Sequence, residues 1–425
     1  MSKQLQIEVR DSIGDIDSAS WNALTHDGNP FTQYEFLYAL EHTHCVGQDK
    51  GWYPRYFLLW NNPDEHDDLL AAVPAYIKTH SYGEFVFDWA WADAYEKNGL
   101  PYYPKLVSSI PYTPATGRRF LVREDQDDRD IVVLMASAMR QLCESENYSG
   151  VHWLFLTETE SNHLTPLTEE LQITPDDPDD EASDEKTDDA SAPSITQQLF
   201  LERIDCQYHW HNKDYESFEE FLGTCTAKRR KTIRRERRYV SDEGLVLQRR
   251  LGDTLSDDEW QWVHRFYEST FDRKWGSPML TLDFFKTMGK TFGEHTLIVF
   301  AYDPADETPE QPVACSIMFQ GGDTLYGRFW GCRRDYHSLH FETCYYQGIE
   351  HCIENRIAHF EPGAQGEHKI TRGFEPTLTR SLHYISHPGF HKAIADFLVN
   401  ETQLVERRCS GLTDLLPFKQ TPLKL

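Results

Sequence analysis

Nowhere in its 425 residues does the chain carry an apolar run approaching the roughly 20 needed to span a membrane. The opening MSKQLQIEVRDS has no apolar stretch after its lysine, so no secretory signal is expected. CxxC spacing is missing as well. The nine cysteines are scattered and odd in number, which fits reduced thiols in a cytoplasmic protein. Net positive charge is also lacking: the formal charge of −27 argues against general nucleic-acid binding. Duplex DNA is excluded further, because no second basic stripe exists to follow a backbone.

Aromatic residues, by contrast, are plentiful. With 24 Phe, 21 Tyr and 11 Trp, the chain can pack the cores of two ordinary domains. The charge is unevenly spread, with thirteen Asp or Glu against one Lys between Glu158 and Asp189. So acidic a run cannot bury enough surface to offset its ordering entropy, and residues 162–193 are expected to form a disordered insertion. Before it, residues 1–161 read as strand, two helices, two strands, a loop, a helix and a strand. After it, residues 194–380 give strands, helices around 217–240 and 257–292, three strands, a helix over Thr343–Arg356 and a strand. Two copies of one α/β unit are therefore expected, the first completed by residues 381–425.

Seven stretches carry a family likeness: SYGEFVFDWAWADAY (Ser81–Tyr95), YYPKL (Tyr102–Leu106), QYHWHN (Gln207–Asn212), KRRKTIRRERR (Lys228–Arg238), DTLYGRFWG (Asp323–Gly331), LHFETCYYQ (Leu339–Gln347) and GAQGEHKITRGFEP (Gly363–Pro376). As an ordered set they resemble an uncharacterised bacterial family of predicted N-acyltransferases of the peptidoglycan biosynthesis/recognition type. That family is similar to the Fem aminoacyltransferases and, more distantly, to GNAT acetyltransferases. The resemblance implies two tandem GNAT-like α/β domains with mixed sheets and a shared cleft. It further implies transfer of an acyl or aminoacyl group from acyl-CoA or aminoacyl-tRNA to an amine, with no tightly bound cofactor. The acceptor would be a cell-wall precursor, an amino acid or a peptide. The acidic insert departs from the pattern, as does the absence of the long helical hairpin of some tRNA-using Fem enzymes. The carrier, CoA or tRNA, is left open.

N-acyl transfer requires a base for the amine proton, worth typically about 10²–10⁴-fold, and donors for the oxyanion. His340 and Glu342, just before the helix, are the expected base or orienting pair, although a carboxylate there could equally cap the helix. The loop bearing Gly366, Glu367, His368, Lys369 and Arg372 lets a backbone approach an anion while two cations neutralise it, and such a loop lies by the substrate cleft in Fem-type folds. Asp93 is a further candidate base, with Trp91, Tyr103 and Lys105 nearby offering aromatic faces for an amine or sugar. The same stretch could simply be an aromatic core strand. Lys228, Arg230 and Arg234 belong to the densest basic run, which suits a phosphate-bearing partner or merely a solvated helix face. His209 and His211 share a strand face without a carboxylate or Cys beside them, so no metal is expected. Two rival functions remain: a non-catalytic module that binds a peptidoglycan precursor or nucleotide-sugar, and an RNA-binding protein acting through 228–238.

Overall fold

One order of elements occurs twice in the computed structural model, which describes residues 5–61, 68–172, 194–272 and 276–419. The first copy runs β1 (Gln6–Arg10), α1 (Ser18–Asn22), α2 (Tyr34–His42), β2 (Trp52–Trp60), β3 (Leu69–Lys78), α3 (Trp89–Lys97), β4 (Lys105–Ser108), β5 (Leu121–Val122), α4 (Asp128–Ser145) and β6 (Gly150–Leu156). A bridge follows: α5 (Glu158–Leu164), the hairpin β7 (Thr168–Gln172) and β8 (Ser194–Gln198), then β9 (Leu201–His211), α6 (Phe218–Thr224) and α7 (Ala227–Asp242). The second copy runs β10 (Val246–Leu251), α8 (Asp257–Asp272), α9 (Leu282–Thr291), β11 (Thr296–Tyr302), β12 (Pro312–Gly321), β13 (Thr324–Cys332), α10 (Leu339–Phe341), a π-helical segment (Glu342–Tyr346), α11 (Gln347–Glu354) and β14 (His359–Glu361). The chain ends with β15 (Glu375–Ile385) and α12 (Pro388–Thr413).

Among the described residues these strands form one mixed sheet in the order β1-β2-β3-β4-β6-β15-β9-β14-β13-β12-β11-β10, with β5 beside β3. The order is a palindrome. In each half the only parallel contact of that sheet among the described residues joins the strand before the helix-bearing connection to the strand after it: β4 to β6, and β13 to β14. The two central strands are exchanged. β9 follows the first copy yet pairs with β14 of the second, while β15 follows the second copy and pairs with β6 of the first. The molecule is thus an α/β protein of two tandem GNAT-like halves.

Local chemistry explains most elements. Asp127 accepts from the N–H groups of Arg129 and Asp130 to start α4, and Ile131, Met135 and Met139 then bury one face on β2, β3 and β6. Each such side chain contributes about 1.5–3 kcal/mol. A second core joins the halves directly, where Phe31 just before α2 and Phe36 within it meet Phe284, Phe319 and Tyr326 edge-on.

Four expectations change. Residues 89–97 form a helix rather than an aromatic strand: Trp91 and Tyr95, four apart, are buried, while Trp89 stays exposed. The helix expected from 217 to 240 breaks at Cys225 and Thr226, because the Thr226 N–H bonds to Pro417 O and Cys225 bridges to Phe418. Residues 162–172 of the acidic stretch are ordered, Leu164 being buried in the first-half core; residues 173–193 lie outside the described residues. The helix expected from Thr343 begins at Leu339 and carries the π segment, a form often found at functional sites.

Candidate active site

The parallel ladder between β13 and β14 has only three residue pairs, ending at Tyr326 and Glu361. Beyond it β13 runs on to Cys332, whereas the other strand turns away through Pro362 and Gly363, the latter in a left-handed conformation (φ 92°). The Lys369 ammonium fastens that turn by donating to Gly363 O at 2.5 Å. Between the parting strands stand Arg328, from an irregular position in β13, and Glu361, at the end of β14.

The first half closes over this gap. Arg328 donates to Tyr112 O and lies between the rings of Phe31 and Phe329. The Thr116 N–H donates to Glu361 Oε2 at 3.4 Å. His209 Nδ1, from β9, is 3.9 Å from Glu361 Oε1. Burial pushes the Glu361 carboxyl up to about 8 against the pull of Arg119 and Arg328. The same burial draws the His209 imidazole down to about 3 and Arg328 down to about 9. Near neutral pH, Glu361 and His209 are therefore both largely uncharged. Glu361 sits within reach of deprotonation under mildly basic conditions, which suits a base.

Gln207 links this group to a cavity of about 360 Å³. Its side chain donates to Pro114 O, its Oε1 is 3.3 Å from His209 Nε2, and it lines the cavity wall. The cavity lies on β9 and β15, between Phe85–Phe87 of one half and Ala364–Glu367 of the other, under Glu401 and Arg408 of α12. Its three arginines are already paired, Arg203 with Glu401, Arg380 with Glu158 and Glu202, and Arg408 with Glu367.

The expected residues fall into three groups. Glu342, His340, His368, Lys369 and Arg372 gather around the π segment. Glu342 is buried and held by Arg237 at 3.0–3.2 Å and by Gln347 at 2.8 Å, so the base expected there meets a carboxylate already committed to a network with Glu350. His340 stands edge-on to Trp330 and Tyr345. His368 meets the Tyr345 hydroxyl at 2.8 Å, and burial beside Arg372 and Lys369 lowers its pKa. Arg372 grips Glu236 at 2.7 Å and covers the Phe341 ring at 3.4 Å. Gly366 (φ 116°) and Glu367 reach the cavity instead.

The second group is in the first half. Lys105, fully buried, donates to Ser81 Oγ at 2.9 Å and Glu84 Oε2 at 2.8 Å, and also to Asp88. Burial opposes its charge, but the two carboxylates prevail and raise it, while burial pushes Glu84 itself up to about 7. Tyr103 joins through Ser81 at 2.8 Å. Trp91 packs on His383 with Arg203 over its ring. Asp93 is not brought in: it is exposed and paired with Lys97 at 2.5 Å. The third group is α7, whose inner face holds Arg230, bonded to Cys225 O, and whose outer face exposes Lys228 and Arg234.

Reading the sequence missed Glu361, Arg328 and Gln207. Gln207 and Arg328 stand within the stretches QYHWHN and DTLYGRFWG, while Glu361 shows only as a lone acid closing the short strand HFE. Among the described residues, no three His, Cys, Asp or Glu side chains are grouped to hold a metal ion, and no helix is long and apolar enough to cross a membrane.

No curated protein sequence matches the chain. Among solved structures it is similar to L-PGS from Bacillus licheniformis (10% identity, 95% of this chain and 98% of that one, TM-score 0.45). FemX is similar at 9% identity, 92% and 100% coverage and TM-score 0.49. A tandem GNAT protein from the clavulanic acid biosynthesis pathway is similar at 8%, 91% and 99%, and 0.40. A family model described as peptidoglycan biosynthesis/recognition matches residues 12–174 and 185–420. That match spans nearly the whole chain, which therefore belongs to the FemAB-like family.

Proposed function

We propose that the chain is an N-acyltransferase whose reaction takes place where β13 and β14 part. The observation that carries this reading is Glu361: a carboxyl raised to about 8 by burial, set at a strand edge that has no strand partner beyond Tyr326 among the described residues. The acceptor amine enters from the shared cavity and loses its proton to Glu361. It attacks the acyl carbonyl, and backbone N–H groups of the β13 stretch beyond the ladder with β14 receive the developing oxyanion, each such donor being worth roughly 3–4 kcal/mol. On collapse the carbonyl's bond to the CoA sulfur or tRNA oxygen breaks, and that atom leaves with the proton held by Glu361. His340 and the turn fastened by Lys369 flank the acyl group. An aminoacyl-tRNA or acyl-CoA is the donor, and the acceptor is an amine on a cell-wall precursor, amino acid or peptide.

The test is incubation of the purified chain with labelled aminoacyl-tRNA or acyl-CoA and a panel of such amines, with mass spectrometry of the products. Transfer is expected from one donor class, falling at least about 10²-fold in Glu361→Gln. Transfer that survives this substitution removes Glu361 from the chemistry. No transfer from either donor, with acceptors still bound, favours a recognition module.

A further inference from the structure

Nine cysteines are present as thiols, and two of them meet across the wall of the cavity. Cys206 Sγ, on β9, lies 3.0 Å from Cys409 Sγ, on α12, although 203 residues separate them in the chain. That separation is only about 1 Å more than the roughly 2.05 Å of a bonded pair. Cys206 is half-buried and lines the cavity, so a small oxidant in the cavity reaches it. Cys409 is buried beneath the helix that contributes Glu401, Val405 and Arg408 to the same cavity. The remaining ties between α12 and the cavity wall include the Arg203–Glu401 and Arg408–Glu367 pairs, the second well exposed on both sides and therefore weak.

We propose that Cys206 and Cys409 form a reversible disulfide that fastens α12 over the shared cavity. With hydrogen peroxide as oxidant, the Cys206 thiolate attacks one peroxide oxygen, giving a sulfenic acid and releasing hydroxide, which leaves as water. The Cys409 thiolate then attacks that sulfur, the S–S bond forms, and the sulfenic oxygen leaves as a second water. Two thiols give up two protons and two electrons, and the peroxide O–O bond is reduced. Burial and the contact with Cys409 push the Cys206 thiol above its ordinary range, so the reacting thiolate is a minor species and oxidation is slow. The inference is independent of the reaction proposed above, since it concerns only the seating of α12.

The full-length protein, reduced and then exposed to hydrogen peroxide, is the sample. Intact mass, peptide mapping without reductant and hydrogen exchange over residues 399–412 are the readouts. The expected result is a loss of two hydrogens, a single Cys206–Cys409 linked peptide, and several-fold slower exchange in 399–412, all reversed by dithiothreitol and absent from both Cys206→Ser and Cys409→Ser. A disulfide mapped to other cysteines, over-oxidation without a link, or a 206–409 link that leaves exchange of α12 unchanged would each overturn the proposal. Because mapping of the unmodified sequence decides the pairing, misfolding of a serine variant does not obscure it.

Discussion

Replacing Glu361 by Gln keeps the shape of the side chain and removes its ability to ionise, so its effect on stability should depend on pH in a defined direction. The folded chain holds this carboxyl up to about 8 by burial, against an ordinary value of 4.5. Between those two values the unfolded chain ionises the group while the folded chain keeps its proton. The native state therefore binds more protons, and wild-type stability falls as pH rises through that window. At about 1.4 kcal/mol per pH unit the full span corresponds to roughly 5 kcal/mol. Buried sites in proteins behave as if screened by an effective dielectric of about 20, so about 2 kcal/mol is the expected size. Urea unfolding of both proteins at pH 5, 7 and 9 provides the measurement. The curves should nearly coincide at pH 5, and Glu361→Gln should be the more stable by about 2 kcal/mol at pH 9. A difference that is the same at all three pH values would refute the burial argument. The proposed role in transfer adds a second readout: the wild-type rate should climb as pH approaches 8 and level off above it, a rise that the Gln variant lacks.

Other substitutions test the surrounding networks. Arg237→Met strands Glu342, only 2% exposed, and should cost about 3–5 kcal/mol in urea unfolding, with much of it recovered in the double variant with Glu342→Gln. Lys105→Met likewise leaves Glu84 and Asp88 buried without their cation; its loss should be largest at neutral pH and shrink in acid, where the carboxyls take up protons. Gly331→Ala would place a methyl 1.9 Å from Phe266 O, so α8 must shift off β13, and a large drop in Tm is expected by calorimetry. Asp93→Asn should leave both Tm and transfer rate unchanged, since Asp93 is exposed and makes an i,i+4 pair with Lys97.

What the sequence makes legible is the part of the fold written in local chemistry. The helical spacing of Ile131, Met135 and Met139 and the apolar runs of β2 and β3 each describe one element. The doubled order of elements follows from adding them up. The helix at 89–97 was harder, because Trp and Tyr favour strands, and only the pairing of Trp91 with Tyr95 betrays a helical face. The break at Cys225 depends on Pro417 and Phe418, nearly 200 residues away, and no local pattern encodes it. The site was legible only in part for the same reason. The loop Gly363–Arg372 and the Lys105 stretch announce themselves by composition. The acid of Glu342 is as conspicuous as that of Glu361, and only tertiary structure separates them: one is neutralised by Arg237, the other is buried with one backbone donor at 3.4 Å among the described residues.

The exchange of β9 and β15 also governs how the chain can be made. On a ribosome, β6 is finished long before β15 exists, for 231 residues separate His152 from its eventual neighbour His383. Until then the first half exposes a bare strand edge next to an apolar core, the kind of edge that invites pairing with another chain. The nascent first half must wait in a partly assembled state, and its last strand arrives only after the second half has been synthesised. Cutting the gene between the halves would therefore yield two fragments with open edges, each lacking a strand that the other carries, and their recovery should depend on making them together.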